Sequence, residues 1–489
     1  MPPAAQVGAA GGILGLLTSA LGYWGKNSDT LKRHASSVMR VAGKHTLDLM
    51  ATVVVASVLL GVILSINGAL QNCEACGVSA QPPATTRAES YLHVLQTTHW
   101  WVALIGVSAC LAFAWVVSAL IGANTFSLHG MYGNRLVRAY LGAARARRSP
   151  HWFTGFDPED NIDLAALAQD QVAPDKRRLF PVINIALNLV KPSTRRLSWQ
   201  QRKACSFTAT PLHCGADGVG FTKTAEYGAG GGMSLARAFT ISGAAASPNM
   251  GYHSSPMVTL VMTLFNVRLG WWLPNPGPAG HKYWRRNGPS VGFWAMLSEA
   301  LGTTTDDRPT VYLSDGGHFD NHGLYEMVRR RCHRIVLVDC TADPQFDYAD
   351  LLSTVRKIRI DLGISIDLPS VLPGPERDTP HARMLVGTIR YSDRDGCAES
   401  ENGTLHVLKP RLLGDEPPDV LHYAKASGTA KNSFPHQSTI DQFFDEDQFE
   451  SYRMLGLLTA QRSFGNDHRL WPSGRASGHV DTTEGASPQ

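Results

Sequence analysis

Cysteine is scarce in this chain, with eight residues in 489, mostly far apart, too few for a disulfide scaffold at this length. Its histidines and acids take up no zinc-ligand spacing, and it has no Walker-type phosphate loop. The common sequence routes to a metalloenzyme or a nucleotide-hydrolysing enzyme are therefore missing. Charge of one sign is also lacking. Lys+Arg number 45 against 41 Asp+Glu, a net +4, and the bases are dispersed or flank apolar segments, so no nucleic-acid partner is expected. No internal repeat is present. With 18% charged and 44% apolar residues the composition is that of a globular protein rather than a disordered one, and the length allows two to four domains.

What the chain does have is two long runs without charge, Leu49 to Leu70 and Trp100 to Ile121, the second opening on the aromatic pair Trp100-Trp101. At about 1.5 Å per residue each spans roughly 33 Å, against a hydrocarbon core of roughly 30 Å. A buried core helix is the alternative, but two such runs in tandem are rare in soluble domains. Lys26, Lys32, Arg33, Arg40 and Lys44 precede the first run, and Arg135, Arg138, Arg145, Arg147 and Arg148 follow the second. Between the runs, Arg87 is the only strong base, beside Glu74 and Glu89. The positive-inside rule then predicts a transmembrane hairpin with both ends cytoplasmic and the loop outside. Cys73 and Cys76 would face an oxidising compartment, where a local disulfide is more plausible than a metal site.

The segment Val311-Tyr312-Leu313-Ser314-Asp315-Gly316-Gly317 reads as a short buried strand ending in a carboxylate on a glycine turn. An amphipathic helix follows, with Leu324, Met327, Val328 and Arg331 at helical spacing, and then a second buried strand, Arg334 to Asp339. This strand-helix-strand order predicts two parallel neighbours joined by a right-handed crossover. Asp315 would then lie at the carboxyl edge, where open α/β sheets place their chemistry. Gly316 and Gly317 allow a sharp turn and keep side chains clear of whatever approaches the carboxylate. An ordinary polar β-turn is the competing reading.

The wording around this triplet resembles the Asp-Gly-Gly/Asp-Gly-Ala block of patatin-like and cytosolic-phospholipase-like acyl hydrolases, most nearly their large bacterial membrane members. The likeness runs over about residues 124–456. It includes Phe153-Thr154-Gly155-Phe156-Asp157, Trp199 to Ala204, Ile241 to Tyr252, Asn266 to Trp272, Arg329 to Cys332, Leu351 to Gly363, Phe434 to Thr439 and Asp441 to Arg453. The resemblance implies a patatin-like, lysophospholipase-like three-layer α/β/α fold. It also implies Asp315 as the catalytic base of a Ser-Asp dyad with Gly316 and Gly317 supporting it, and no cofactor, since such a dyad needs none. The implied partner is a membrane lipid or lysophospholipid ester, and the implied location is a bacterial inner membrane with the α/β domain cytoplasmic.

The nucleophile stays unassigned. Gly288-Pro289-Ser290-Val291-Gly292 fits the Gly-x-Ser-x-Gly elbow and precedes a helix expected over Phe293 to Leu301, but no buried strand feeds it. Ser234, after Tyr227 to Gly232, reads more naturally as the N-cap of a helix from about 234 to 244. On the family pattern the elbow lies before the membrane hairpin, and Val7 to Gly15 is all that matches it, with Ala9 or Ala10 where the serine belongs. A late start, a fragment and a lost nucleophile are all consistent with this.

The expected organisation is an amino-terminal segment over 1–46, the hairpin over 47–122, the α/β portion over 123–462 and a disordered tail over 463–489. Arg145 to Pro150 reads as a basic connector, Pro181 to Val190 and Ala204 to Pro211 as strands, and Leu269 to Pro289 as an irregular Trp-rich loop. Two function classes follow: a membrane-bound serine acyl hydrolase, or a non-catalytic lipid-binding or interaction protein that keeps the fold.

Overall fold

In a computed structural model, the described residues are 37–71, 98–125, 127–171, 179–191, 203–229, 231–250, 256–374, 383–428, 433–437 and 445–465, with isolated positions between 89 and 96. Ala9, Ala10, Cys73, Cys76, the 199–202, 251–252, 438–439 and 441–444 parts of the family-like blocks and the tail beyond 465 lie outside them. The described chain is mixed α/β and divides into two compact units, Ser37–Glu326 and the chain from Met327 onward.

The first unit begins with the two apolar runs. They form α1 (Ser37–Gln71) and α2 (Trp100–Leu120), whose apolar parts, Thr52–Leu70 and Trp100–Leu120, have mean hydropathies of 2.4 and 2.2. Both are long and apolar enough to cross a membrane, and none of the residues in those windows is buried inside the protein. The core-helix alternative fails on that point, because a core helix hides its apolar side chains against the fold.

After α2 come α3 (Leu128–Leu136), which runs on as a wider π turn to Gly142, and then a sheet of six strands. These are β1 (Ile183–Asn188), β2 (Ala204–Ala209), β3 (His213–Ala216), β4 (Gly220–Lys223), β5 (Trp271–Pro274) and β6 (Thr310–Asp315), in the order β4-β3-β2-β1-β6-β5. Every pairing is antiparallel. The expected strands near 181–190 and 204–211 are β1 and β2. Part of the stretch expected to be irregular, Trp271–Pro274, instead forms the edge strand β5, with Trp272 buried against Tyr312.

Alternation along the strands sends the two faces to different helices. Ile185, Leu187, Phe207, Val311 and Leu313 share a core with Ala238 and Ile241 of α4 (Leu235–Ser242). On the other face Tyr312 and Trp272 pack with Ala295 of α6 (Gly292–Ala300) and with Ala123, just beyond α2. Between these helices lies α5 (Pro256–Leu264); it packs against α1 and α6, and α2 also packs against α6. Thus both apolar helices are tied to the helical layer on the Tyr312 face.

The basic connector is not free. Arg145 and Arg148 are paired with buried acids: Arg145 Nη1 lies 2.9 Å from Asp160 Oδ1 and 3.2 Å from Asp157 Oδ2, and Arg148 Nη2 lies 2.5 Å from Asp160 Oδ2. Two of the five bases behind the second run therefore act as local structure, which weakens the charge asymmetry used to orient the hairpin.

The second unit holds a four-stranded sheet, ordered β7-β10-β9-β8, of β7 (Arg334–Val338), β8 (Ser365–Asp367), β9 (Met384–Arg390) and β10 (Gly403–Leu408). Here the expected parallel crossover is corrected. β6 and β7 belong to different sheets: β6 is antiparallel to β1 and β5, while the parallel partner of β7 is β10. The linking helix α7 spans only Leu324–Arg329, and Arg331 sits beyond it in the left-handed region at φ +59°. β7 is also not buried on both sides. Ile335 and Leu337 are buried, whereas Val336 and Val338 are exposed. An Ile-Val-Leu-Val run looks the same in sequence whether one face or two are covered. The stretch Leu351 to Gly363 is α8 (Ala349–Leu362), stopped by Gly363 at φ +66°, a conformation that favours glycine. Three further helices, α9 (Ser392–Asp395), α10 (Pro418–Ala426) and α11 (Glu446–Phe464), complete the unit, with Val420, Phe434 and Leu455 forming a small core.

Candidate active site

Asp315 is the last residue of β6, paired across from Ile185 of β1. Its Oδ1 accepts the Gly317 N–H at 2.6 Å and so caps a single 3-10 turn, Gly316–His318. Space is tight at both glycines, against backbone at Gly316 and against side-chain ends at Gly317. A Cβ on Gly316 would come 2.8 Å from the Asn184 carbonyl oxygen, and one on Gly317 would come 2.8 Å from Asn321 Oδ1 and 3.0 Å from Asp315 Oδ1. Neither has a positive φ, so these glycines serve close approach rather than an unusual backbone angle. Burial raises the Asp315 carboxyl above its ordinary value, and the Gly317 amide offsets this in part. Oδ2 accepts no hydrogen bond among the described residues. The carboxyl is therefore half-buried, held through one oxygen and available through the other.

The backbone N–H of Asp315 donates to the Ala244 carbonyl at 3.4 Å, which brings the segment after α4 to the end of β6. Ser242, in the last turn of α4, donates its hydroxyl to the Asn184 carbonyl at 2.7 Å. Tyr132 of α3 lies over Gly243, where a Cβ would come 2.6 Å from the phenol oxygen. The hydroxyl of Tyr132 is pushed up in pKa by burial first and by the Asp315 charge second, so the phenol belongs to the same neighbourhood. Sequence reasoning missed Tyr132 and Ser242 as neighbours of Asp315. The only signal available was that both fall within the family-like region, which does not specify who meets whom.

Across the strand, Ser314 is fully buried. Its Oγ accepts from Asn188 Nδ2 at 2.7 Å and lies 2.7 Å from His318 Nδ1. A Ser-His pair invites a nucleophile reading, but no solvent or substrate reaches this hydroxyl, and it already serves two side chains. We read it as the brace that fixes the turn after Asp315.

The serine candidates do not meet the base. Ser290 is exposed, its Oγ accepts from the Arg286 guanidinium, and a 3-10 turn (Pro278–Tyr283) and loop precede it, with no strand feeding the position. Ser234 caps α4 by accepting the Arg237 N–H at 3.2 Å, as its sequence context predicts. No serine hydroxyl hydrogen-bonds the Asp315 carboxyl among the described residues. Two other acids, Asp320 and Asp339, are committed elsewhere. Asp320 is buried and accepts the N–H groups of His322 and Tyr325 at 3.1 and 2.8 Å, at the entry to α7. Asp339 is buried in the second unit, 2.9 Å from Lys409 Nζ.

Close by, on the other side of β5 and β6, is a buried ion pair. Arg268 binds Glu299 of α6 and the Ala123 carbonyl, and Trp272 Nε1 donates to Glu299 Oε2 at 3.2 Å. Burial raises the Glu299 carboxyl, against the lowering pull of Arg268. His129 of α3 is buried too. Its Nδ1 lies 2.6 Å from the Leu269 carbonyl, which makes Nδ1 the protonated nitrogen, and burial lowers the ring to about 4.

In comparisons with known proteins, no family model, no curated protein and no solved structure matches this chain.

Proposed function

We propose that this chain is part of a membrane-bound, patatin-like ester hydrolase acting on phospholipid or lysophospholipid, with Asp315 as the base of a Ser-Asp dyad. The observation that carries the reading is the state of Asp315: a strand-end carboxyl, half-buried and raised in pKa, fixed through Oδ1 and open at Oδ2. A base of this kind accepts a serine proton directly, and a raised pKa strengthens it as a proton acceptor. The length and apolarity of the two helices support membrane association, so that lipid esters are the substrates at hand, and on this reading both ends of the hairpin are cytoplasmic. On this reading the serine comes from outside the described residues.

A second reading is favoured by one specific observation. Ser242, whose hydroxyl bonds the Asn184 carbonyl, sits at the carboxyl end of α4, where the helix dipole is negative and opposes an oxyanion. A protein that stays without a nucleophile would bind lipid and not cleave it.

Fluorophosphonate labelling of the purified 489-residue chain in detergent, with short-chain nitrophenyl esters as substrate, tests this assignment. We expect neither labelling nor turnover. Labelling lost in Ser290→Ala would make Ser290 the nucleophile, and labelling that survives both Ser290→Ala and Ser234→Ala would place the elbow elsewhere in the chain. The DNA upstream of the Met1 codon then separates the two readings. An in-frame extension with a glycine-rich loop and Gly-x-Ser-x-Gly supports the hydrolase, and a stop codon without one supports the lipid-binding protein.

A further inference from the structure

An apolar cleft of about 470 Å³ opens where α2 meets α5 and α6, a volume inside the roughly 300–1,000 Å³ range of small-molecule sites. Three helices line it with faces at i, i+3, i+4 spacing. From α2 come Ala114, Val117 and Ser118, which are the partly covered positions of an otherwise exposed stretch. From α6 come Phe293, Met296 and Leu297, and from α5 Leu260 and Leu264. None of the lining residues is charged.

One end of the cleft is polar and incompletely bonded. Thr263 is buried and lines the cleft, yet its Oγ1 has no hydrogen-bond partner among the described residues. Other threonine hydroxyls in these helices do find one: Thr240 bonds the Ala236 carbonyl at 2.7 Å and Thr259 the Pro248 carbonyl at 2.6 Å. Asn266, beside it at φ +52°, donates its Nδ2 to the Thr125 carbonyl at 3.2 Å, but its Oδ1 is also buried and unpaired. A hydroxyl left so in an apolar pocket costs free energy unless a ligand supplies an acceptor.

We propose that this cleft binds the acyl chain of a bilayer glycerolipid, with the ester carbonyl at Thr263. The inference rests on the reading that α2 lies in a membrane. If it does, Ala114 to Ser118 lie about 3–9 Å inside the end of the span at Leu120, the depth of the first part of the acyl chain, with the ester carbonyls at the end of the span. The Thr263 hydroxyl donates to an ester carbonyl oxygen, and the absence of charge in the lining keeps an ionic headgroup outside. The site is separate from Asp315. Ala123 at its inner end packs on Tyr312, whereas Leu313 belongs to the core on the opposite face of the sheet. A lipid held here anchors α2 to α5 and α6 and is not positioned for cleavage at Asp315.

The test uses the full chain in phosphatidylcholine vesicles that contain a phosphatidylcholine with a diazirine next to the acyl carbonyl. Irradiation is followed by peptide mapping of the adducts. We expect adducts on the partly covered Leu260, Phe293 and Met296 to exceed those on the outward-facing Phe113 and Trp115 by about ten-fold. Val117→Trp, which fills the cleft from the α2 side, and Thr263→Val, which removes the hydroxyl and keeps the shape, should each abolish that excess and leave the Phe113 and Trp115 adducts unchanged. Equal labelling of both sets, unaltered by Thr263→Val, overturns the site while the membrane reading stands. No adducts on Phe113 or Trp115 would mean that α2 is not in the bilayer, and the proposal falls with that reading.

Discussion

Arg268→Met is the substitution with the largest calculable consequence. Arg268 and Glu299 are both almost fully buried, and the arginine also holds the Ala123 carbonyl at the end of α2. Methionine fills a similar volume but leaves Glu299 with a charge and no cation beside it. Breaking a buried pair from one side costs about 3–5 kcal/mol, because the remaining charge is uncompensated. In a unit of this size that lowers the thermal midpoint on the order of 10 °C. The pH dependence fixes the cause. The folded Glu299 carboxyl is already raised above its ordinary value, and loss of Arg268 raises it further. A carboxyl raised in the folded state gives stability that is present below the unfolded pKa and lost as pH rises through the folded pKa. The deficit of the variant should therefore be small at pH 5 and large at pH 8. Thermal unfolding in mild detergent, followed by tryptophan fluorescence with Trp272 as a reporter at the pair, measures it. Adding Glu299→Leu should recover much of the loss. A deficit equal at both pH values, or a double variant no better than the single one, would refute this account of the pair.

Two further substitutions probe the neighbourhood of the site. Asp315→Asn keeps the Oδ1 acceptor for Gly317, so the fold should hold. Because burial raises the native carboxyl, the variant should melt at the same or a higher temperature at pH 7, while any ester-hydrolysing form of the protein loses roughly 10²–10⁴ in rate; near-normal turnover would show that the base is another group. His129 is held neutral, with its ring lowered to about 4. Its contribution to stability is full above the unfolded value of about 6.5 and is lost as pH falls toward 4, at most about 3 kcal/mol. His129→Gln should flatten that limb of the stability-pH curve measured by chemical denaturation, and an unchanged limb would assign the acid sensitivity elsewhere.

Much of this was legible in the sequence where the signal was local. The uncharged runs became α1 and α2, Ser234 became a cap because a small hydroxyl before a helix satisfies a free N–H, and Asp315 stands at a strand end as its glycines suggested. Pairing between distant segments was not legible. The stretch Val311 to Val338 has the periodicity of strand-helix-strand, yet its strands join different sheets because their hydrogen-bonding partners, β1 and β10, lie far off in sequence. The same limit hid Tyr132 from the Asp315 neighbourhood and Arg268 from Glu299. The role of each is decided by what the fold brings opposite it.

That limit also bears on what the site still needs. The group that reaches the Asp315 backbone from α4 is a carbonyl, that of Ala244, and the Gly317 N–H is already given to the carboxylate. These backbone groups thus supply a base and an acceptor, with the Tyr132 hydroxyl as a donor nearby, whereas an acyl-transfer site must also aim backbone N–H donors at the oxyanion. A serine placed there alone would not answer the need. At Gly243 its Cβ would meet the Tyr132 oxygen, and it would sit at the negative end of a helix. A nucleophile elbow, by contrast, puts the serine at a helix amino terminus and brings hydroxyl, N–H donors and favourable dipole together. On the proposed hydrolase reading, the group that completes Asp315 would therefore be a strand-turn-helix unit rather than a single residue.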